Sequence, residues 1–278
     1  MSKANQFLIK IIGKTINLTS TVAPRFASKK ALKLFATPRK GRYTENQIKV
    51  INDAFFKSFS LNNLSVATYH WNGKGKTILL AHGWESNTAR WGGLLEILKA
   101  KEFDIIALDG PAHGKSGGKE FNAIFYADFM ATVCKVFQPE IIIGHSVGGM
   151  STIFCQYKNQ FEFVKKIVTL GAPAHFEGVF SRYRNMMGYN DKVWNHLNNL
   201  VYERFGNQVE YYSSAEFSKS ITTKSLIIHD KKDLIIPYED ALLLHENFNG
   251  SKLISTEGFG HGLKNEIVNN HIIDFIEK

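Results

Sequence analysis

We expect an α/β fold in which helices cover both faces of a mostly parallel central sheet. Two features predict it. From about residue 60 onward, short apolar runs alternate with helical stretches, and each run is apolar throughout rather than at every second position. Strands of this kind are buried on both faces, which is typical of parallel sheets covered by helices. The chain has 278 residues, 44% of them hydrophobic, and is long enough to bury such a core.

The first predicted element is a hairpin, with strands at Leu64–Trp71 and Thr77–Ala81 and a turn at Asn72-Gly73. The further strands are predicted at Ile105–Leu108, Ile141–Ile143, Ile167–Leu170, Leu226–His229 and Leu253–Ser255. The helices are predicted at Ala89–Lys101, Phe125–Phe137, Val147–Tyr157, Tyr238–Phe248 and Lys264–Glu277. The alternation lapses at about residues 174–218 and then resumes.

The positive charge is concentrated near the N-terminus. Residues 1–50 hold eleven Lys and Arg and a single acid, Glu45, whereas the remaining residues hold 23 bases and 24 acids. We therefore predict a basic arm at residues 1–55 and a neutral α/β domain at residues 56–278. A nucleic-acid-binding surface over the whole domain is not expected from a neutral body.

The arm contains an apolar stretch from Phe7 to Leu18 that Lys10 and Lys14 interrupt. Its uninterrupted runs are too short for a membrane span or a secretory signal. Three interpretations remain: a helical arm that packs on the body, an arm that touches anionic lipid, and a cleaved transit segment. A second apolar and basic stretch follows, and Pro38 and Gly41 end it.

The two cysteines, Cys134 and Cys155, cannot form a disulfide framework or a cysteine zinc site, so we expect a cytoplasmic protein, with membrane-peripheral contact as the alternative. No sequence motif for a metal or nucleotide is present, and we expect no cofactor. The oligomeric state is not predicted.

The most informative motif is Gly144-His145-Ser146-Val147-Gly148, which fits G-x-S-x-G between a predicted strand and a predicted helix. A strand-to-helix turn this tight brings two backbone segments together, so the flanking glycines are needed, and the serine is held in a strained conformation. Its hydroxyl then lies at a helix N-terminus, which favours developing negative charge. The pattern predicts a nucleophilic serine, Ser146.

A nucleophilic serine requires a base and an orienting acid, which follow it in the order Ser, acid, His. His261 follows the last predicted strand in a glycine-flanked loop and is the predicted base. Asp230 and Asp233 compete for the acid, because both follow the preceding strand. We favour Asp233, since Asp230 can instead form an Asx-turn that shapes the loop.

An oxyanion hole needs two backbone N–H groups that converge on one point. One is expected from Val147, directly after the nucleophile, and the other from Trp84, at the end of the first buried strand. His82 and His145 are interpreted as structural histidines.

Taken in order, five motifs resemble the α/β-hydrolase superfamily: HGW, DGPAHGKS, GHSVGG, HDKKDLIIP and GFGHG. More narrowly, they are similar to its serine esterase, lipase and peptidase-like members with a small helical cap. The resemblance covers roughly residues 60–278. It implies that Ser146 is the nucleophile, Asp233 the acid, His261 the base, and Trp84 and Val147 the oxyanion donors.

The chain departs from the family pattern at Ala112, where a glycine is usual. The serine at the elbow argues against dehalogenase and epoxide-hydrolase chemistry. The aromatic-rich insertion at residues 174–218 corresponds to the family's cap and is expected to line an apolar pocket.

Three functions are compatible with these motifs. The first is hydrolysis of a small-molecule carboxylic ester or thioester through an acyl-enzyme, and this is the one we favour. The second is an acyltransferase with the same triad, and the third is a non-catalytic ligand-binding protein that has kept the fold. The complete triad argues against the third.

Overall fold

An eight-stranded sheet organises most of the chain in the computed structural model, which describes residues 3–278. Its strands are β1 (Phe55–Leu61), β2 (Leu64–Trp71), β3 (Thr77–Ala81), β4 (Asp104–Leu108), β5 (Ile141–His145), β6 (Lys166–Leu170), β7 (Lys224–Asp230) and β8 (Lys252–Thr256). The order in the sheet is β1-β2-β4-β3-β5-β6-β7-β8. β2 is antiparallel to both of its neighbours, and every other pairing is parallel. The predicted mostly parallel sheet is confirmed.

The helices are α1 (Lys3–Val22), α2 (Pro24–Ala36), α3 (Glu45–Ile51), α4 (Gly92–Ala100), α5 (Ala123–Phe137), α6 (Val147–Asn159), α7 (Phe176–Met187), α8 (Asp191–Phe205), α9 (Ser214–Ser218), α10 (Tyr238–Asn247) and α11 (Glu266–Glu277). Two 3₁₀ turns lie at Thr88–Trp91 and Val209–Tyr211. The chain divides into a sheet unit (residues 38–174 and 214–278) and a helical unit (residues 3–37 and 175–213).

The core of the sheet unit lies on both faces of the central strands. On one face, alternate strand residues such as Leu80 and Ile143 pack with apolar side chains of α4 and α11. The residues between them, such as Leu79 and Ile142, point to the opposite face and are also fully buried, and α5 and α6 contact these strands. Burial on both faces explains why the strands are apolar throughout.

The hairpin prediction was wrong about which strand forms the hairpin with β2. β2 pairs with β1, which precedes it, and β3 instead lies between β4 and β5. Asn62 and Asn63 form the two-residue turn with φ of 49° and 61°, which is the left-handed conformation that a tight hairpin turn requires. Gly73, which was predicted to form the hairpin turn, instead allows a close approach of two backbone segments. A Cβ there would lie 2.2 Å from the carbonyl oxygen of Phe103.

The helical unit is formed by two segments that lie far apart in the sequence. α1 and α2 come from the N-terminal arm, and α7 and α8 come from the insertion. The ring of Phe35 on α2 makes edge or tilted contacts with Phe176, Phe180 and Tyr183 of α7, with centroids 4.9 to 6.0 Å apart. The insertion aromatics Phe180 and Trp194 also contact each other. Arm and insertion therefore share one apolar interior.

α1 crosses α7 at a very short distance. A Cβ at Gly13 would lie 1.7 Å from the carbonyl oxygen of Met187, so only glycine fits this crossing. One turn along α1, the Asn17 side chain donates to the carbonyl of Gly188 at 2.8 Å and accepts from the N–H of Asn190 at 3.0 Å. These polar contacts fix the register of α1 on the end of α7.

The units divide the chain differently from the predicted domains. Residues 38–55 belong to the sheet unit, where the Tyr43 hydroxyl donates to the buried carboxylate of Asp109. That carboxylate also accepts from Tyr69, from Thr88 and from the N–H of Lys115. The insertion within the helical unit spans His175–Ser213. No helix among residues 3–278 has the length and apolarity to cross a membrane.

Gly13→Ala should loosen the helical unit. The new methyl group overlaps the Met187 carbonyl, and such overpacking typically costs about 1–3 kcal/mol. Hydrogen exchange of the α1 and α2 amides should therefore accelerate. The matched control is Gly178→Ala in α7, where the added Cβ meets only the flexible Arg182 side chain at 3.3 Å. The control should hold or gain stability, by up to about 1 kcal/mol. Equal protection in both variants would contradict the close crossing.

Candidate active site

Ser146 lies in the tight turn between β5 and α6. Its φ of 54° and ψ of −124° are strained for a residue with a side chain. Three glycines permit this turn. A Cβ at Gly148 would lie 2.4 Å from the carbonyl oxygens of Ala81 and His82, and one at Gly144 would lie 2.6 Å from the carbonyl oxygen of Gly148. A Cβ at Gly83 would lie 2.9 Å from the Ser146 Cβ. The close packing holds the serine in the strained turn.

The structure brings Ser146, His261 and Asp233 together in one chain of hydrogen bonds. The Ser146 Oγ lies 2.9 Å from Nε2 of His261, and Nδ1 of His261 lies 2.7 Å from Oδ2 of Asp233. The three residues follow three different parallel strands, β5, β7 and β8, at the carboxyl edge of the sheet. The distances allow His261 to donate to Asp233 and to accept from the serine hydroxyl.

Asp233 is held as a carboxylate. Burial by itself raises the pKa of this carboxyl, but hydrogen bonds outweigh burial and hold the pKa well below its usual range. The donors are His229, His261 and the N–H groups of Ile235 and Ile236, the last two at 2.8 and 3.0 Å from Oδ1.

His229 is a contact that the sequence analysis missed. Its Nε2 lies 3.3 Å from Oδ2 of Asp233 and 3.0 Å from the carbonyl oxygen of Ile236, and its side chain is fully buried. In the sequence, His229 stands four residues before Asp233. Because a loop was predicted between them, this spacing did not indicate that the two side chains are in contact.

Asp230 organises the neighbouring loop and does not contact His261. Its side chain, fully buried, accepts from the N–H groups of Lys232, Gly258 and Phe259 and from the Thr256 hydroxyl, at 2.8 to 3.2 Å. The bond from Lys232, two residues on, is an Asx-turn. Because Gly258 and Phe259 lead into His261, Asp230 ties the acid loop to the histidine loop.

Two further side chains hold the histidine loop through its backbone carbonyl groups. His145 Nε2 lies 2.8 Å from the carbonyl oxygen of His261, and the Arg90 guanidinium donates to the carbonyl of Gly262 at 2.9 Å. Burial lowers the pKa of His145 well below its ordinary value, and the positive charge of Arg90 adds to this. A neutral His145 that donates through Nε2 therefore fixes the His261 backbone.

The two residues predicted as oxyanion donors are Trp84 and Val147. Val147 is the first residue of α6, and its N–H is one of those that have no partner within the helix. Trp84 follows Gly83, which packs directly on Ser146. His82 is structural, because its Nδ1 lies 2.7 Å from the Gly83 carbonyl and its Nε2 accepts from the N–H of Gly110 at 2.8 Å.

The loop after His261 also lines a cavity of about 500 Å³ in the sheet unit. Aliphatic side chains of Leu94, Leu170 and Leu263 line it together with the cationic groups of Arg90 and Lys264. Within residues 3–278, no group of three or more His, Cys, Asp or Glu side chains is placed to hold a metal ion.

Two protein-family models match the chain. The model of the α/β hydrolase fold matches residues 76–186, which include Trp84, Ser146 and Val147. The model described as TAP-like protein matches residues 205–278, which include Asp233 and His261.

Known proteins are similar over most of the chain. The uncharacterized hydrolase YugF of Bacillus subtilis is 22% identical over an alignment of 268 positions that covers 80% of this chain and 97% of that protein. The esterase RhEst1 from Rhodococcus sp. matches with a TM-score of 0.62 at 18% identity, covering 81% of this chain and 98% of that one. A thioesterase domain from the curacin biosynthetic pathway matches with a TM-score of 0.60 at 16% identity, covering 82% and 100%. At these identities the solved structures show a shared fold.

Asp230→Asn should destabilise the site loops. The amide replaces one acceptor oxygen by an NH₂ group that faces N–H or O–H donors, at a cost of about 1–3 kcal/mol. Hydrogen bonds hold the pKa of Asp230 below its ordinary value, so the stabilisation is present at neutral pH and is lost as the pH falls below the ordinary aspartate range. The Tm difference from wild type should therefore narrow in acid. A Tm equal to wild type at neutral pH would contradict this role.

Proposed function

Because the chain is a member of the α/β-hydrolase superfamily and has its fold, we propose that it is a serine hydrolase that cleaves a carboxylic ester or thioester through an acyl-enzyme. The observation that carries the proposal is the continuous hydrogen-bonded chain from Ser146 through His261 to a buried, ionised Asp233. A structural serine at a helix start has no need of all three groups in this arrangement.

In the first half-reaction, the Ser146 Oγ attacks the carbonyl carbon of the substrate. Nε2 of His261 accepts the hydroxyl proton at the same time, over the 2.9 Å contact. The imidazolium that forms is stabilised by Asp233, which also keeps the ring in the tautomer that leaves Nε2 free to accept. The tetrahedral intermediate then collapses, and His261 returns the proton to the departing alcohol or thiol.

The negative oxygen of the intermediate is expected to accept from the N–H groups of Trp84 and Val147. Val147 directly follows the nucleophile and its N–H belongs to the positive end of α6, while Trp84 follows Gly83, which packs on Ser146. In the second half-reaction, water replaces the alcohol or thiol. His261 removes its proton, the attack on the acyl-enzyme repeats the same geometry, and Ser146 leaves as the free hydroxyl.

The substrate class is supported by the structural neighbours. One is an esterase and another is a thioesterase domain, and both substrates present an acyl carbonyl with a leaving oxygen or sulfur. A series of p-nitrophenyl esters and coenzyme A thioesters of increasing acyl length on the purified chain would separate the two and define the preferred acyl group.

Ser146→Ala should abolish turnover of p-nitrophenyl esters, with a loss of at least about 10³-fold in kcat, because the nucleophile is removed. An active-site-directed phosphonate should label the wild type and not this variant. The matched control is Ser220→Ala, an exposed serine outside the site, which should be labelled and active as wild type. Labelled, active Ser146→Ala protein, free of contaminating esterase, would overturn the assignment.

Asp233→Asn should lower kcat by about 10²–10⁴-fold, because an amide cannot stabilise the imidazolium and can favour the wrong ring tautomer. KM should change little, since the side chain is buried beneath His261 and is out of reach of a substrate. Comparison with Asp230→Asn at equal folded fraction separates the catalytic role from loop damage. If Asp230→Asn proves inactive while folded and Asp233→Asn stays active, the acid is misassigned.

A further inference from the structure

α1 presents two apolar faces, only one of which is used inside the protein. The inner face includes Gly13 and the buried Ile16, which lie toward the other helices of the helical unit. The outer face carries large apolar side chains that are 44% to 87% exposed: Phe7, Leu8, Ile11, Leu18 and Val22. An ordinary solvent-facing helix surface is polar, so this face requires a separate explanation.

The outer side chains form one stripe, within which the polar Thr15 is also exposed. At 3.6 residues per turn, the five positions fall within an arc of about 100°. Phe7, Ile11, Leu18 and Val22 recur at intervals of four, seven and four residues, so they lie in line along the whole helix. The exposed apolar residues therefore share one face of the helix and are not scattered over its surface.

The charged side chains of α1 and α2 are all positive. Lys10 and Lys14 lie on α1 at its border, within about 60° of Phe7 on the helical wheel. α2 continues the pattern, because the exposed Phe26 lies among Lys29, Lys30 and Lys33, and the Lys30 ammonium lies 5.2 Å from the Phe26 ring centroid. Residues 1–37 hold seven Lys and Arg and no Asp or Glu.

We propose that the outer face of α1 is a docking surface for an anionic lipid bilayer, on which the helix lies parallel to the membrane plane. An apolar stripe bordered by lysines places its side chains at the boundary of the acyl chains while the ammonium groups meet anionic headgroups.

Lipid fits this surface better than a second protein chain. On its polar border the stripe has the cations Lys10 and Lys14, which complement a surface of negative charge. A second copy of the chain would bring the same cations against each other, and like charges in close contact are repulsive. The proposal is independent of the proposed reaction, since lipid docking requires neither Ser146 nor His261.

The test uses the full-length chain and co-sedimentation with vesicles of phosphatidylcholine, with and without phosphatidylglycerol. Wild-type protein should bind the anionic vesicles and bind the neutral ones much more weakly, and added salt should weaken the anionic binding. Phe7→Ser with Leu18→Ser should reduce the partition coefficient on anionic vesicles at least about tenfold. Since both side chains are exposed, the melting temperature should stay at the wild-type value.

Matched controls distinguish binding through the stripe from nonspecific adsorption to vesicles. Phe55→Ser with Leu242→Ser removes two exposed apolar side chains from the sheet unit and should bind as wild type. Lys10→Gln with Lys14→Gln should weaken anionic binding about tenfold, whereas Lys49→Gln with Lys252→Gln, which removes the same charge, should have a much smaller effect. Ser146→Ala should bind vesicles as wild type, so failure of this proposal and failure of the catalytic one are distinguishable.

Three results would overturn the proposal. The first is wild-type binding to anionic vesicles by the Phe7→Ser, Leu18→Ser variant, and the second is no binding by the wild type itself. The third is a change of oligomeric state in sedimentation velocity, from dimer to monomer on substitution of the stripe, without a change in vesicle binding. That third result would assign the stripe to a contact between copies of the chain.

Discussion

The site depends on the close approach of three backbone segments around Ser146. Gly144 lets the end of β5 pack closely on the start of α6, Gly148 lets the start of α6 approach the end of β3, and Gly83 lets the loop after β3 lie directly on the serine. Distances of 2.4 to 2.9 Å from a hypothetical Cβ leave no room for any side chain at these positions. Since the serine is strained at φ 54°, the surrounding packing, and not local preference, maintains its conformation. The other contacts of the candidate site therefore depend on the position in which this packing holds Ser146.

The side chains around Ser146 fall into two groups with different roles. Asp233 and His261 contact the nucleophile directly or through one partner, whereas Asp230, His145 and Arg90 act on the backbone that carries His261. Two buried aspartates three residues apart thus have different tasks because their hydrogen-bond donors differ. The donors to Asp230 are loop N–H groups and a hydroxyl, while those to Asp233 include the imidazole itself.

The helical unit gives the N-terminal arm a structural task and leaves part of it unused. Phe35 and Gly13 fit the arm to the insertion helices, so the first of the three interpretations of the arm describes its inner face. The exposed apolar stripe of α1 is not explained by that packing. A single helix can pack on protein with one face and offer the other to a lipid surface, because the two faces lie on opposite sides of the helical wheel.

The sequence alone determined the parallel sheet, because strands buried on both faces must be apolar at every position, and it determined the elbow, because glycines flank a serine between a strand and a helix. It also placed His261 and the aspartate pair on consecutive loops. Only the tertiary structure decided which aspartate contacts His261, that His229 joins Asp233, and that β2 pairs with β1 rather than β3. It also decided that α1 and α2 pack with α7 and α8, more than 130 residues away along the chain. Contacts of this kind depend on side-chain direction and on which distant segment fills a given space. Local periodicity and spacing contain neither.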